Sequence, residues 1–193
     1  MFSFNAVVLK KIQVKDSKNI ISLFSQDYWK ISVWMKESKN RSPVDIGNIY
    51  NFSSKSENGI NNIDSYKAKI VINSSLLWFK EINNILRICA YFEKILPASM
   101  LFESIFNDYS EAIPYLEQPS SNDQMYHLFL LRFVKKLWIA QTPGEEAWTN
   151  IKKLFSVIDS YPLGSIIKIQ WISPSDYREI EDFIYATLHN YMN

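Results

Sequence analysis

The sequence predicts an α+β protein, with a small β-barrel in residues 1–73 and a bundle of α-helices in residues 74–193. Before Asn73, apolar and polar residues alternate and β-branched side chains are frequent, whereas after it apolar residues recur every three or four positions. The chain has 193 residues, 47% of them hydrophobic, which is enough for one substantial core or two small ones. We therefore expect two parts that differ in secondary structure.

Five short segments of the first part have the pattern of β-strands. Turn-forming residues such as Asn58 and Gly59 separate these segments. Five strands in about seventy residues fit a small closed barrel of the OB type, with an SH3-like barrel as the alternative. The predicted strands cover residues 6–14, 19–24, 30–36, 48–53 and 66–72.

The second part has the apolar period of amphipathic helices. Ser74 or Ser75 is the N-cap of the first helix, and a proline closes each of the first two, Pro97 and Pro114. The third helix, capped by Asn122, is apolar on nearly every side and is predicted to be the centre of the bundle. Periodicity does not decide between a strand and a helical turn for residues 165–172. The predicted helices cover residues 74–97, 100–113, 123–141 and 145–158, and a last helix begins at Ser173 and Pro174.

The formal net charge of +1 is unevenly distributed along the chain. Up to Ile72 there are 11 Lys and Arg against 6 Asp and Glu, and from Asn73 onward the counts are 10 and 14. A basic module joined to a mildly acidic body indicates a polyanion as a partner of the first part. Chance variation of the surface charge is the alternative interpretation.

Several classes of function are not supported by the sequence. One cysteine, Cys89, allows no internal disulfide, and with two distant histidines, His127 and His189, it cannot form a Cys/His zinc site. No glycine-rich phosphate loop and no Ser/His/Asp arrangement is present. Residues 125–140 carry too many charges for a membrane span, and the first residues lack a secretory signal. We expect a cytoplasmic, non-enzymatic protein without a metal or cofactor.

The third predicted strand carries the clearest candidate for nucleic-acid contact. Alternation places Ile31, Val33 and Met35 on one face and Lys30, Ser32, Trp34 and Lys36 on the other. A tryptophan between two lysines is typical of a strand-binding groove, in which the ammonium groups neutralise phosphates and the indole stacks on a base. In the alternative interpretation, Trp34 packs against the first helix.

Other basic and aromatic residues of the first part are secondary candidates. Lys10 and Lys11 are adjacent on a strand and must point to opposite faces, so at most one of them belongs to the groove. Tyr28 and Trp29 either stack on a base at the barrel mouth or plug the barrel end. Side chains in turns can reach a phosphate backbone without fixed geometry, and those candidates are Lys15, Lys18, Lys36, Lys39 and Arg41.

The order of these elements follows a pattern known from one family. A first strand, a polar turn, a second strand with an acidic end, a lysine-led third strand and a basic loop are found in VVLKKIQVKDSKNIISLFSQDYWKISVWMKESKNRSP. Two helices with a glycine and proline stop follow in LFESIFNDYSEAIPYLE and HLFLLRFVKKLWIAQTPG. This arrangement resembles RecO, the bacterial recombination mediator. The chain has Tyr28 and Trp29 where the family usually has a glycine, and it lacks the cysteines of the family's zinc module, so it resembles a short, zinc-less member.

The resemblance implies a non-enzymatic protein that binds single- and double-stranded DNA, promotes annealing, and helps to load the recombinase on strands coated by single-strand-binding protein. RecR and the acidic tail of that coating protein are the implied partners. Arg132, Lys135 and Lys136 then become candidates for a cationic rim that binds this tail. In the alternative interpretation, these three residues lie at the solvent edge of a core helix. The rival function is a non-catalytic interaction module whose barrel binds a polypeptide.

Overall fold

A six-stranded curled sheet in the amino-terminal part of the chain precedes a set of helices, which confirms the α+β class. The structure is a computed structural model, and it describes residues 2–14, 18–36, 43–55, 62–97, 102–140, 149–169 and 172–192. The strands are β1 (Phe2–Gln13), β2 (Lys18–Ser25), β3 (Lys30–Lys36), β4 (Ile49–Ser54), β5 (Asn62–Ile63) and β6 (Ser65–Ile70).

The strand order in the sheet is β5-β3-β2-β1-β4-β6. The pairing of β3 with β5 is parallel, and the other four pairings are antiparallel. The five strands predicted from the sequence are all present, whereas β5 was not predicted, because two residues are too few to show a period. β1 begins at Phe2 and not at residue 6, because its first residues pair with β4.

The inner face of the sheet encloses an apolar core. Alternate residues of each strand point into it, as the period of two requires. In the middle of β1 four successive residues, 6–9, are buried, so both faces of the sheet are covered there. The inner core consists of Phe4, Ala6, Val8, Ile21, Leu23, Val33, Met35, Val44, Tyr50, Phe52 and Ile63.

The helices are α1 (Phe79–Ile95), α2 (Glu103–Leu116), α3 (Pro119–Lys136), α4 (Thr149–Val157), α5 (Leu163–Ile166) and α6 (Pro174–Met192), and a 3-10 turn covers Ser74–Leu76. The first helix therefore starts later than predicted, because the serines expected to cap it belong to the 3-10 turn. Trp78, which lies inside the predicted helix, precedes α1 and is exposed. Pro114 lies inside α2 and does not close it, since a proline in the last turn removes only one hydrogen bond.

The start of α3 corrects a second prediction. The third helix was predicted to cover residues 123–141 with Asn122 as its cap, but α3 begins at Pro119, because the fixed φ of proline suits the first helical position. Asn122 is buried and donates to the carbonyl of Leu116. Residues 125–134 are all buried, which confirms that this helix is central. Among the described residues no helix has both the length and the apolar character needed to cross a membrane.

The chain divides into two compact units. The first consists of Met1–Ser75 and Ile85–Ser110, so it contains the sheet and parts of α1 and α2. Within it, the Phe24 ring packs on Phe92 of α1 at 5.2 Å and on Phe106 of α2 at 5.9 Å between centroids. The second unit consists of Leu76–Asn84 and Glu111–Asn193 and is built around α3. Residues 165 and 166 lie in α5 and residues 167 and 168 form a turn, so the undecided segment contains a short helical turn and no strand where it is described.

A reciprocal cap stabilises the start of α6, as predicted from Ser173 and Pro174. The Ser173 hydroxyl accepts from the Asp176 backbone N–H, and the Asp176 carboxylate accepts from the Ser173 N–H at 2.6 Å. Burial alone would raise the pKa of Asp176, but hydrogen bonds from Ser173 and Asn150 outweigh it and lower this pKa below its ordinary value of 3.8.

Replacing Asp176 with alanine is expected to cost about 1 kcal/mol of unfolding free energy at neutral pH. Because folding lowers this pKa, the stabilisation is present above the unfolded pKa near 3.8 and is lost as the pH falls through the lower folded value. Thermal unfolding of parent and D176A across this range measures the difference. A difference in stability between parent and D176A that stays constant as the pH falls below 3.8 would contradict the lowered pKa.

Candidate nucleic-acid interface

The alternation predicted for the third strand is present in β3. Val33 and Met35 are buried in the inner core, whereas Ser32, Trp34 and Lys36 are exposed on the outer face of the sheet. The Trp34 side chain keeps 43% of its surface exposed. The indole is therefore available at the surface of the first unit.

The strand register extends this exposed face across β1 and β2. Ile12 pairs with Ile20, and Ile20 pairs with Trp34, so these three side chains form one row on the outer face. Ile12 is 44% exposed and Ile20 is half-buried. A row of large apolar side chains left in water on a sheet face is typical of a binding surface.

Two lysines face each other beside this row. Lys18 of β2 and Lys36 of β3 are direct partners in the register, and both are exposed. Like charges directly opposite each other destabilise a sheet. Within the described residues neither lysine has an acidic partner at ion-pair distance. An anion placed between the two ammonium groups would relieve this repulsion.

These residues border a cavity of about 570 Å³ in the first unit, which we call the Trp34 groove. It collects side chains from the end of β1, the start of β2, the end of β3, and β5. Residues of the outer face, such as Trp34, and residues of the inner core, such as Met35, both line it. The groove therefore opens at the ends of the strands, where the inner core is accessible. The lining residues are Val14, Lys18, Trp34, Met35, Lys36, Asn62 and Ile63.

Lys30, at the other end of β3, does not join the groove. Its ammonium group donates to the backbone carbonyl of Glu93 in α1, and the Glu93 carboxylate accepts from the Ser22 hydroxyl. The outer face of the sheet is covered by α1 at this position. The structure therefore separates Lys30 from Trp34 and Lys36, although all three share one face of the strand.

Tyr28 and Trp29 have different environments. The Tyr28 ring packs edge-on against Phe2 at 5.1 Å and Phe4 at 5.4 Å between centroids. It therefore covers the inner core, which corresponds to the second of its two predicted roles, plugging the end of the barrel. Trp29 is exposed but does not line the groove. Of the two aromatic residues at this turn, only Trp29 is open to solvent.

Lys10 and Lys11 point to opposite faces, as predicted. Lys10 is exposed and pairs with Ser22, whereas Lys11 pairs with the core residue Ile21 and is half-buried. Lys10 therefore lies on the same outer face of the sheet as Trp34 and Lys36, but it does not line the groove. The candidates Lys15, Lys39 and Arg41 lie outside the residues that the structure describes.

The cations of α3 bind backbone carbonyls of the second unit. Arg132 is 4% exposed, and its guanidinium donates to the carbonyls of Ile158 and Tyr161. Lys135 donates to the carbonyl of Phe155 and lies 3.1 Å from the Asp159 carboxylate. Lys135 therefore caps the carboxyl end of α4, where carbonyls lack helical donors, and Arg132 binds carbonyls of the segment that follows this helix. Lys136 is half-buried.

Cys89 is a buried core residue, as predicted. Burial raises the pKa of its thiol to about 12, against the opposing effect of a hydrogen bond with Tyr109. A thiol with this pKa has almost no thiolate at neutral pH. His127 is buried and His189 is exposed, and the described residues contain no group of three or more His, Cys, Asp and Glu that could hold a metal ion.

Several residues of this surface were not predicted from the sequence. The spacing of Lys10, Ile12 and Val14 was the available signal for the outer face of β1, because the three alternate with residues of the other face. Asn62 and Ile63 offered no signal, since their strand has two residues. The chain matches no model of a known protein family and no curated protein sequence.

The arrangement defines the chemistry that the groove can perform. An indole ring offers a stacking surface, apolar side chains form the floor, and the ammonium groups of Lys18 and Lys36 provide positive charge beside them. Planar, anionic ligands with repeated charges meet all three requirements.

Proposed function

We propose that this protein is a cytoplasmic DNA-repair and recombination accessory protein that binds DNA through the Trp34 groove. The observation that carries the proposal is the convergence of Trp34, Lys18 and Lys36 on one cavity of the first unit. The two lysines neutralise phosphates and the indole stacks on a base, worth about 1 to 3 kcal/mol per stacked base.

We further propose that the sheet is a five-stranded barrel of the OB type in which β5 and β6 are two parts of one strand. Only Asp64 separates these two elements, and its N–H donates to the carbonyl of Ser53 in β4. The first part pairs with β3 and the second with β4, so this strand would link the two edges. OB barrels bind oligonucleotides on the face of their second and third strands, where the groove lies.

The rest of the proposal comes from the resemblance to RecO. Residues 1–73 bind single- and double-stranded DNA, and residues 74–193 bind protein partners. RecR and the acidic tail of single-strand-binding protein are the proposed partners. The protein promotes annealing and assists recombinase loading without a catalytic residue, metal or cofactor of its own.

Salt dependence tests the proposal. If Lys18 and Lys36 each neutralise one phosphate of a single strand, the logarithm of the binding constant should fall with the logarithm of salt concentration with a slope of about −1.4. Fluorescence anisotropy of a labelled oligonucleotide over a salt series measures this slope.

A second function remains compatible with the apolar part of the groove. Val14, Met35 and Ile63 contribute apolar lining, and a groove of this kind also accepts the side chains of a polypeptide. In that case the protein is an interaction module and its lysines are incidental. A flat salt response, or no oligonucleotide binding at low salt, would favour this alternative.

A further inference from the structure

Asn19 is a buried amide without hydrogen bonds next to the Trp34 groove. Asn19 is 1% exposed. Among the described residues, neither Oδ1 nor Nδ2 of its side chain has a hydrogen-bond partner. A buried polar group left unpaired destabilises the fold, because no hydrogen bond replaces the ones it loses to water. An orphaned amide of this kind calls for a physical explanation, and an absent ligand is one.

The strand register places Asn19 beside the floor of the groove. Asn19 is the direct partner of Met35, and Met35 is the direct partner of Ile63, so the three lie in one inward row across β2, β3 and β5. Met35 and Ile63 belong to the inner core and also line the groove. The groove therefore reaches the layer that contains the unpaired amide, and Lys18, next to Asn19 in sequence, lines its rim.

A carboxamide has one hydrogen-bond acceptor and one donor group in a fixed plane. This pair matches the donor and acceptor that adenine presents at N6 and N7, the base with which asparagine pairs most often through two bonds. Met35 would not prevent access, because a methionine has three rotatable bonds and readily changes its packing.

We propose that the Trp34 groove receives the base of one unpaired nucleotide and that the Asn19 carboxamide selects adenine at that position. This inference rests on the proposed function, since it requires DNA on the groove. The phosphate contacts remain independent of sequence, and the preference concerns a single nucleotide. Only an unpaired base can enter, because stacking on Trp34 needs an exposed base face, which a base stacked inside a duplex does not present.

The test uses the full chain and a set of oligo(dT) strands that differ at one central position, which is dT, dA, dC or an abasic residue. We expect the parent to bind the dA strand about fivefold or more tightly than the dC or abasic strand. Asn19→Leu, close in size and apolar, should bind all strands alike and should also unfold at a higher temperature, since it removes an unpaired buried amide. Asn19→Ala, which cannot overpack, should lose the preference in the same way.

A buried asparagine with partners provides the matched control. Asn48 of the first unit accepts from the Ile72 N–H and donates to the Tyr50 hydroxyl. Asn48→Leu should lower the unfolding temperature and leave the adenine preference unchanged.

The outcomes separate this inference from the proposed function. Three results would overturn the inference and leave DNA binding intact. The parent could bind all strands equally, the adenine preference could survive in N19L and N19A, or N19L could be less stable than the parent. Absence of oligonucleotide binding at low salt would overturn the proposed function itself.

Discussion

Replacing Trp34 with alanine and both Lys18 and Lys36 with glutamate is expected to weaken DNA binding at low salt by about 100-fold or more. The triple variant loses a stacking surface and converts two phosphate contacts into repulsive ones. All three side chains are exposed, so we expect little change in folding. Titration of a labelled oligonucleotide measures the affinity, and circular dichroism checks the fold.

A matched control carries the same change in charge and composition elsewhere. Trp78 is exposed, as are Lys67 and Lys69 of β6, and none of them lines the groove. The variant with Trp78→Ala, Lys67→Glu and Lys69→Glu should bind nearly as the parent does. Equal losses in both variants would mean that binding depends on total charge, and the assignment to the groove would be wrong.

Replacing Arg132 with methionine is expected to lower the unfolding free energy of the second unit by about 3 kcal/mol. The variant fills similar space but leaves the carbonyls of Ile158 and Tyr161 without their guanidinium donor. In a chain of this size such a loss lowers the unfolding midpoint by about 6 to 12 °C. Differential scanning calorimetry measures the change.

Lys168→Met is the control, because it removes the same charge from an exposed position of the second unit. Its midpoint should stay within the error of the parent. The result distinguishes two roles for Arg132. A variant with an unchanged midpoint that fails to bind the acidic tail would restore the partner interpretation and contradict the structural one.

The elements that a local period specifies were predicted closely. β3 has the predicted bounds, and the alternation of its side chains is confirmed. α3 was correctly identified as the central helix from its apolar residues alone. The errors lie at element ends and in short elements, such as β5 and the start of α1, because capping and tertiary contacts decide these features and the period does not.

The candidate site was predicted only in part, and for a physical reason. Period two places Lys30, Trp34 and Lys36 on one face of the strand, but it does not tell which part of that face a helix covers. α1 covers the sheet at Lys30 and leaves Trp34 open. Likewise, the apolar surroundings of Arg132 in sequence did not reveal the carbonyls that it binds, since these lie in the segment after α4, distant in the chain.

The sequence by itself determined the α+β class, the basic excess of the first part, and the outward position of Trp34 and Lys36 on their strand. These properties follow from composition and from a period of two or 3.6 residues, which act over a few neighbouring positions. Only the tertiary structure decided that Lys18 stands opposite Lys36 and that Ile12 and Ile20 continue the row of Trp34. It also decided that Asn19 lies buried beside the groove, with no hydrogen-bond partner for its side chain among the described residues. The physical reason is that strand register and helix packing join residues distant in the chain, and no local pattern encodes which of them meet.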